Sequence, residues 1–298
     1  MDITQVAMQF KSYALAVENY IETTRDLRSE KVPPQLFEAM EYSLTAGGKR
    51  LRPVLCIASA IACGCTQEMA MPMALGYEML HTATLIHDDL PCMDNDDMRR
   101  GKPSNHAKFG ETLAVLAGDA LLAESITYPL FYTKGVPADR LLNASRIFTK
   151  AVGPSGVCGG QVLDMNSELA ARDKDYVTKV AALKTGELIK AALLSGASLG
   201  TEDETTLSAF EKYGEYLGAA FQIVDDILDV TTTAEQLGKT PGKDSEQGKI
   251  NYVTAYGLEK ARQFAKEKSE AVNSVIGKLL GKDCFFAGLP MLLVSRTR

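Results

Sequence analysis

Residues 221–230 read Phe221-Gln222-Ile223-Val224-Asp225-Asp226-Ile227-Leu228-Asp229-Val230, with three carboxylates inside an otherwise apolar stretch. At about 100° per residue, Asp225 and Asp229 share one helix face one turn apart, and Gln222 precedes them on it. Burying three acids in a helix without counter-ions is costly. A solvated face is no remedy, because Phe221, Ile223, Val224, Ile227 and Leu228 flank the acids on every side. The chain must therefore form helices around an interior that is polar and holds cations.

The rest of the pattern agrees. Leu207, Phe210, Gly214, Leu217 and Phe221 recur at intervals of three and four, and Leu258, Ala261, Ala265, Val272, Val275 and Leu279 continue that rhythm. Strict alternation is scarce, and neither Asn-Gly nor Asp-Gly marks a hairpin. Helix breaks such as Pro33-Pro34, Gly47-Gly48 and Gly153-Pro154 are short, and no biased linker divides the 298 residues. The expectation is an all-α, single-domain helical bundle spanning 1–298.

A second acidic segment, His87-Asp88-Asp89-Leu90-Pro91-Cys92-Met93-Asp94-Asn95-Asp96-Asp97, leaves the apolar stretch Met79 to Ile86 and runs into Arg99-Arg100. Clustered carboxylates repel unless cations neutralise them, and hard oxygen donors suit Mg²⁺. A calcium loop starting at Asp94 is excluded, because Arg99 occupies the sixth position that needs glycine. Zinc is excluded by the lack of His and Cys at ligand spacing. Asp88 and Asp94 are six apart and do not share a helix face, so the intervening Leu90-Pro91 is expected to bulge out.

Bulk charge does not supply anion binding. The net charge is −6, with 32 Lys and Arg against 38 acids, which argues against nucleic acid as a partner. Cations are clustered instead. Gly47-Gly48-Lys49-Arg50-Leu51-Arg52 sets three of them after a break whose backbone N–H groups can face an anion. Arg99-Arg100 adds forked guanidiniums. Lys184-Thr185-Gly186, Gly238-Lys239-Thr240-Pro241-Gly242-Lys243-Asp244 and Lys249 add ammonium groups. With neither a Walker A loop nor Gly-x-Gly-x-x-Gly, the phosphates are not expected to be a nucleotide's. The pattern fits two diphosphates, one bridged to aspartates through Mg²⁺ and one held directly by Lys and Arg.

Six cysteines are too few for a disulfide scaffold, and Cys63-Gly64-Cys65 reads as structural thiols. A first segment without a basic region and apolar core predicts no signal peptide, so the expected location is the reducing cytoplasm. The uncharged run Pro53 to Gln67 is too short for a bilayer, so no integral membrane span is expected.

In these motifs, taken in order, the chain resembles the trans-isoprenyl diphosphate synthases, from about Glu38 to Gly257. The matching elements are Gly-Gly-Lys-Arg-Leu-Arg-Pro, the first Asp-rich motif with four residues between its paired and final acids, Lys-Thr-Gly, Phe-Gln-x-x-Asp-Asp-x-x-Asp and Gly-Lys-x-x-Gly-Lys-Asp. The resemblance implies a helical fold around a deep central cavity, usually as a homodimer. It implies that Asp88, Asp94 and Asp225 bind about three Mg²⁺ with the allylic diphosphate, assisted by Asp89, Asp226 and Asp229. It assigns Lys49, Arg52, His81 and Arg100, beside Gly48, to isopentenyl diphosphate. Arg99, Lys184, Thr185, Gln222 and Lys239 go to the allylic diphosphate, with Lys249 as a further substrate-binding cation. Product length is expected to depend on Ala83 and Thr84, whose small side chains favour geranylgeranyl over farnesyl diphosphate unless Met79, Phe109 or Tyr128 closes the cavity. The competing readings are a class I terpene cyclase, disfavoured by the second Asp-rich motif, and a non-catalytic synthase subunit, disfavoured because neither motif has lost an acid. A proline at 290 is expected to interrupt the C-terminal helix.

Overall fold

The computed structural model describes residues 1–166, 175–231 and 251–294, with the side chains of Asn273 and Val294 excepted. The described chain is helical apart from one two-stranded ribbon. In order, the helices are α1 (Ile3–Thr23), α2 (Arg25–Ser29), α3 (Pro34–Leu44), α4 (Leu51–Ala62), α5 (Gln67–Asp88), α6 (Asn105–Phe109), α7 (Glu111–Tyr132), α8 (Ala138–Val152) and α9 (Val157–Asp164). After 175 come α10 (Asp175–Val180), a π-helical turn (Ala181–Gly186), α11 (Glu187–Gly200), α12 (Glu204–Thr231), α13 (Tyr252–Tyr256), α14 (Leu258–Leu280) and α15 (Phe285–Val294).

The core forms where helices are apolar on more than one face. In α11, Leu188, Ile189, Ala192, Leu193 and Leu199 are buried, and the helix packs on α4, α8 and α12. Gly196 permits the α4 contact, because a Cβ there would lie 2.2 Å from the Cys56 carbonyl oxygen. Helix α5 is buried along most of its length and lies against α4 and α7. It presents its C-terminal end, Asp88, to the interior of the bundle.

Three expectations are corrected. First, no bulge inside a helix joins Asp88 to Asp94. Helix α5 stops at Asp88, and the chain folds back so that Asp94 N–H donates to the Asp88 carbonyl (2.9 Å) and Asp96 N–H to that of Asp89 (3.1 Å). Pro91 lies in that turn. Second, a hairpin is present after all: Met98–Arg99 pairs with Lys102–Pro103 around Arg100-Gly101, both at positive φ as a tight type I′ turn requires. Third, Pro290 lies within α15. Having no N–H, it leaves the Phe286 carbonyl without its helical donor, and the buried Tyr213 hydroxyl donates to that oxygen instead (2.8 Å).

One described helix that the sequence reading passed over, α7, is long and apolar enough by composition to cross a bilayer. Its inner side packs along α5 through Ala114, Ala117, Leu121 and Ser125. Its outer side exposes Leu116, Leu130 and Phe131.

Candidate active site

Elements from both halves of the chain enclose a cavity of about 1250 Å³. The two acidic segments meet across it. Asp88 reaches its wall from the end of α5, Asp94 from the turn that follows, and Asp225, Asp226 and Asp229 from α12. Gly48, Lys49 and Arg52 enter from the start of α4, Arg99 and Arg100 from the hairpin, and Lys184 and Thr185 from the π-helical turn. His81, Thr84 and Gln222 complete the wall among the residues singled out by sequence. Lys239 and Lys249 lie outside the described residues.

Adjacent acids on a helix point about 100° apart, and both pairs divide their work accordingly. Asp88 faces the cavity, whereas Asp89 is buried behind it (2% exposed) and forms an ion pair with Arg99. Burial raises the Asp89 carboxyl to about 6, with Arg99 opposing the shift. Asp225 and Asp226 both reach the wall, but Asp226 also accepts from the Gln222 amide (2.7 Å) and from the Tyr252 N–H (2.8 Å), tying α12 to the first turn of α13. Thr185 donates to the other end of the Gln222 amide. Burial also raises the Asp88 carboxyl, Lys184 being the first of the charges that counter it and Asp94 a charge that adds to it.

The basic side is built on backbone strain. Gly47, Gly48, Arg50, Asn95, Arg100 and Gly101 all have positive φ, a concentration typical of sites that the surrounding fold must hold in place. Arg50 is a scaffold residue: its buried guanidinium pairs with Glu18 and Glu78 and donates to the Leu44 carbonyl (2.9 Å). Arg100 donates to the Gly47 carbonyl and lies so close to Gly48 that a Cβ there would sit 2.8 Å from its Cζ. The Nε of Arg52 is buried without a hydrogen-bond partner, and burial lowers its pKa to about 10 against the pull of Glu78 and Asp225. An orphaned guanidinium donor on a cavity wall is suited to an anionic oxygen. Burial and the surrounding arginines, Arg52 foremost, hold His81 well below its usual value of 6.5, so it is neutral.

These donors suit Mg²⁺. All are carboxylates, and among the described residues no three His, Cys, Asp or Glu side chains converge into a finished cage. An incomplete oxygen shell is what Mg²⁺ uses when phosphate and water complete it.

Sequence reasoning missed three wall or support residues. Asp164, at the end of α9, pairs with Lys184. Gln161 lines the cavity with a buried Nε2 that has no partner. Glu78 holds Arg50 and lies 3.9 Å from Arg100; its signal was being the sole acid between Ala70 and Ile86. Of the length candidates, Thr84 is on the wall, whereas Ala83 is buried in the layer behind it (2% exposed). Met79 and Tyr128 are core residues, and Phe109 stacks edge-on against Tyr42. Cys63 and Cys65 are free thiols whose pKa values burial raises, as structural cysteines should be.

The polyprenyl synthetase family model matches residues 33–279. The chain belongs to the polyprenyl synthetase family. As a member it is a prenyltransferase, and its fold is the all-α isoprenyl synthase type. It is 46% identical over 89% of its length to a dimethylallyltranstransferase of Fischerella ambigua, covering 77% of that protein. It is 43% identical over 88% of its length to a chloroplastic geranylgeranyl pyrophosphate synthase of Catharanthus roseus, covering 74% of it. A geranyltransferase from Helicobacter pylori, solved with magnesium and isoprenyl diphosphate, superposes with a TM-score of 0.83 at 31% identity, over 97% of this chain and 95% of that one.

Proposed function

We propose that this polyprenyl synthetase condenses isopentenyl diphosphate with allylic diphosphates to give a short all-trans prenyl diphosphate, geranylgeranyl in preference to farnesyl. The observation that carries the reading is the convergence on one cavity of Asp88, Asp94 and Asp225 with Lys49, Arg52, Arg100 and Lys184.

Mg²⁺ ions, about three in number, would be held by Asp88, Asp94 and Asp225 and would supply charge neutralisation on the allylic diphosphate. Lys184 and Thr185 bind that diphosphate from the π-helical turn, with Gln222 fixing the Thr185 hydroxyl. Arg99 is oriented by Asp89 and contributes at the wall. Lys49, Arg52 and Arg100 bind isopentenyl diphosphate beside Gly48, and neutral His81 offers a hydrogen bond without charge. As the allylic C–O bond ionises, fixed cations stabilise the charge gathering on the departing diphosphate. The apolar wall, with Leu85, Leu188 and Phe221, keeps water from the allylic cation. The isopentenyl double bond attacks that cation, forming the new C–C bond, and the proton lost goes to the released diphosphate. In this scheme Asp226 and Asp229 support Asp225, and Lys239 and Lys249 add to the diphosphate sites.

The preference for the longer product rests on Thr84, a small wall residue one turn below Asp88, with Ala83 behind it. We also propose that the chain acts as one domain and as a homodimer, with the exposed side of α7 as the interface, in a reducing compartment, cytoplasm or plastid. All six cysteines are free.

The test supplies purified protein with Mg²⁺, isopentenyl diphosphate and one allylic primer at a time, with products read by mass spectrometry. Geranylgeranyl diphosphate is expected, and Thr84→Phe should shift the product to farnesyl. No condensation from any primer by folded protein would overturn the reading and favour a non-catalytic subunit.

A further inference from the structure

The function proposed above uses Lys184 but leaves its partner unexplained. Asp164 is the last residue of α9, and its carboxylate forms an ion pair with the Lys184 ammonium on the cavity wall, where the two side chains are 17% and 26% exposed. Two features fix the pair in place. Tyr176 of α10 donates its hydroxyl to the carbonyls of Leu163 (2.6 Å) and Asn166 (3.3 Å), which bracket Asp164 in the chain. Gly160, one turn earlier, lets α9 press against the π-helical turn so closely that a Cβ would lie 2.3 Å from the Lys184 backbone nitrogen.

A lysine ammonium on a four-carbon stem is a flexible point charge with three donors. Unrestrained, it would pair with whichever carboxylate of the cavity lay nearest, including Asp88. Asp164, on the same cavity wall, occupies one donor of the ammonium, and a lysine ammonium has two more to offer an anion. We infer that Asp164 is a positioning residue that aims Lys184 at the allylic diphosphate. It touches neither substrate nor metal and acts through Lys184. The inference rests on the prenyltransferase reading of the cavity.

The experiment compares wild type with Asp164→Asn, Asp164→Glu, Lys184→Ala and the Asp164→Asn/Lys184→Ala double variant. Binding of a thio-analogue of geranyl diphosphate is measured calorimetrically with Mg²⁺, and KM is measured for each substrate. Asp164→Asn should weaken analogue binding about tenfold, in line with the loss of other groups that orient a binding side chain. KM for isopentenyl diphosphate should stay within about twofold, and Asp164→Glu should recover most of the binding. In the Lys184→Ala background, Asp164→Asn should add less than about twofold, because the two residues act as one unit. Equal losses with and without Lys184 would overturn the inference. So would unchanged analogue binding, or a parallel loss for both substrates accompanied by a fall in melting temperature. Wild-type turnover is measured first, so a wild-type protein that neither binds nor condenses defeats the functional reading itself, separately from any effect of Asp164.

Discussion

Gly48→Ala tests whether the glycine break before α4 exists for Arg100. The alanine Cβ would lie 2.8 Å from the Arg100 Cζ, against the 3.4 Å at which ordinary contact begins, so the guanidinium must retreat by about 0.6 Å. That group is not free to slide, since it donates to the Gly47 carbonyl and lies 3.9 Å from Glu78. A displacement of that size at a binding cation should cost roughly tenfold in kcat/KM, expressed mainly in KM for isopentenyl diphosphate. The backbone confounds the experiment, because φ is +134° at Gly48 and an L-residue there is strained. Gly47→Ala supplies the control. It has φ of +81° but nothing within 4 Å of its Cβ, so it carries backbone strain of about 1–2 kcal/mol without touching Arg100. Steady-state kinetics with each substrate varied in turn, and urea unfolding of both variants, separate the effects. Both variants should lose stability, but only Gly48→Ala should lose affinity for isopentenyl diphosphate. Equal KM values in the two variants would refute the reasoning.

Asp88→Asn should lower kcat roughly a thousandfold with little change in stability, whereas Asp89→Asn should cost activity far less but lower stability by ~1–3 kcal/mol, because it leaves the Arg99 guanidinium without its buried counter-charge. Kinetics beside urea midpoints decide this, and matching profiles would show that the acids do not divide as described. Tyr213→Phe should cost ~1–3 kcal/mol without altering turnover, and adding Pro290→Ala should return part of it, since residue 290 then has an N–H for the Phe286 carbonyl. An unchanged urea midpoint in Tyr213→Phe would contradict that role. His81, whose folded pKa lies well below 6.5, binds fewer protons folded than unfolded, so acidification below that value should destabilise wild type more than His81→Gln. Comparing urea midpoints at about pH 5 and about pH 7 reads the difference, and identical slopes would mean His81 is not held neutral.

The helices that build the cavity could be read from apolar periodicity, and the acids within 221–230 announced a polar interior because no other arrangement could tolerate them. What escaped reading depended on pairings between distant segments. Asp164 follows an unremarkable run, Val157 to Leu163, and nothing local says that its partner lies twenty residues on. Asp89 and Asp226 look equivalent to their neighbours in sequence, and only the fold shows Asp89 turned away to Arg99 and Asp226 held at the wall by Gln222 and the Tyr252 N–H. From sequence, Pro91 and Pro290 both predict local disturbances of helices. One falls after a helix that had already ended, and the other is tolerated through a hydroxyl supplied by α12.

The π-helical turn holding Lys184 and Thr185 has a consequence for how this site can be lost. Such a turn carries one residue more than an α-helix would need to cover the same span. Any single side chain between Ala181 and Gly186 can be exchanged while that surplus persists. Deleting Ala182 would instead let α10 and α11 fuse into one regular helix and rotate everything upstream of the cut by about 100° relative to everything downstream. Lys184 would then lose its alignment with α9 although every named site residue was still present. The site is therefore encoded partly in a count of residues, which substitution scans cannot see and single-codon deletions can.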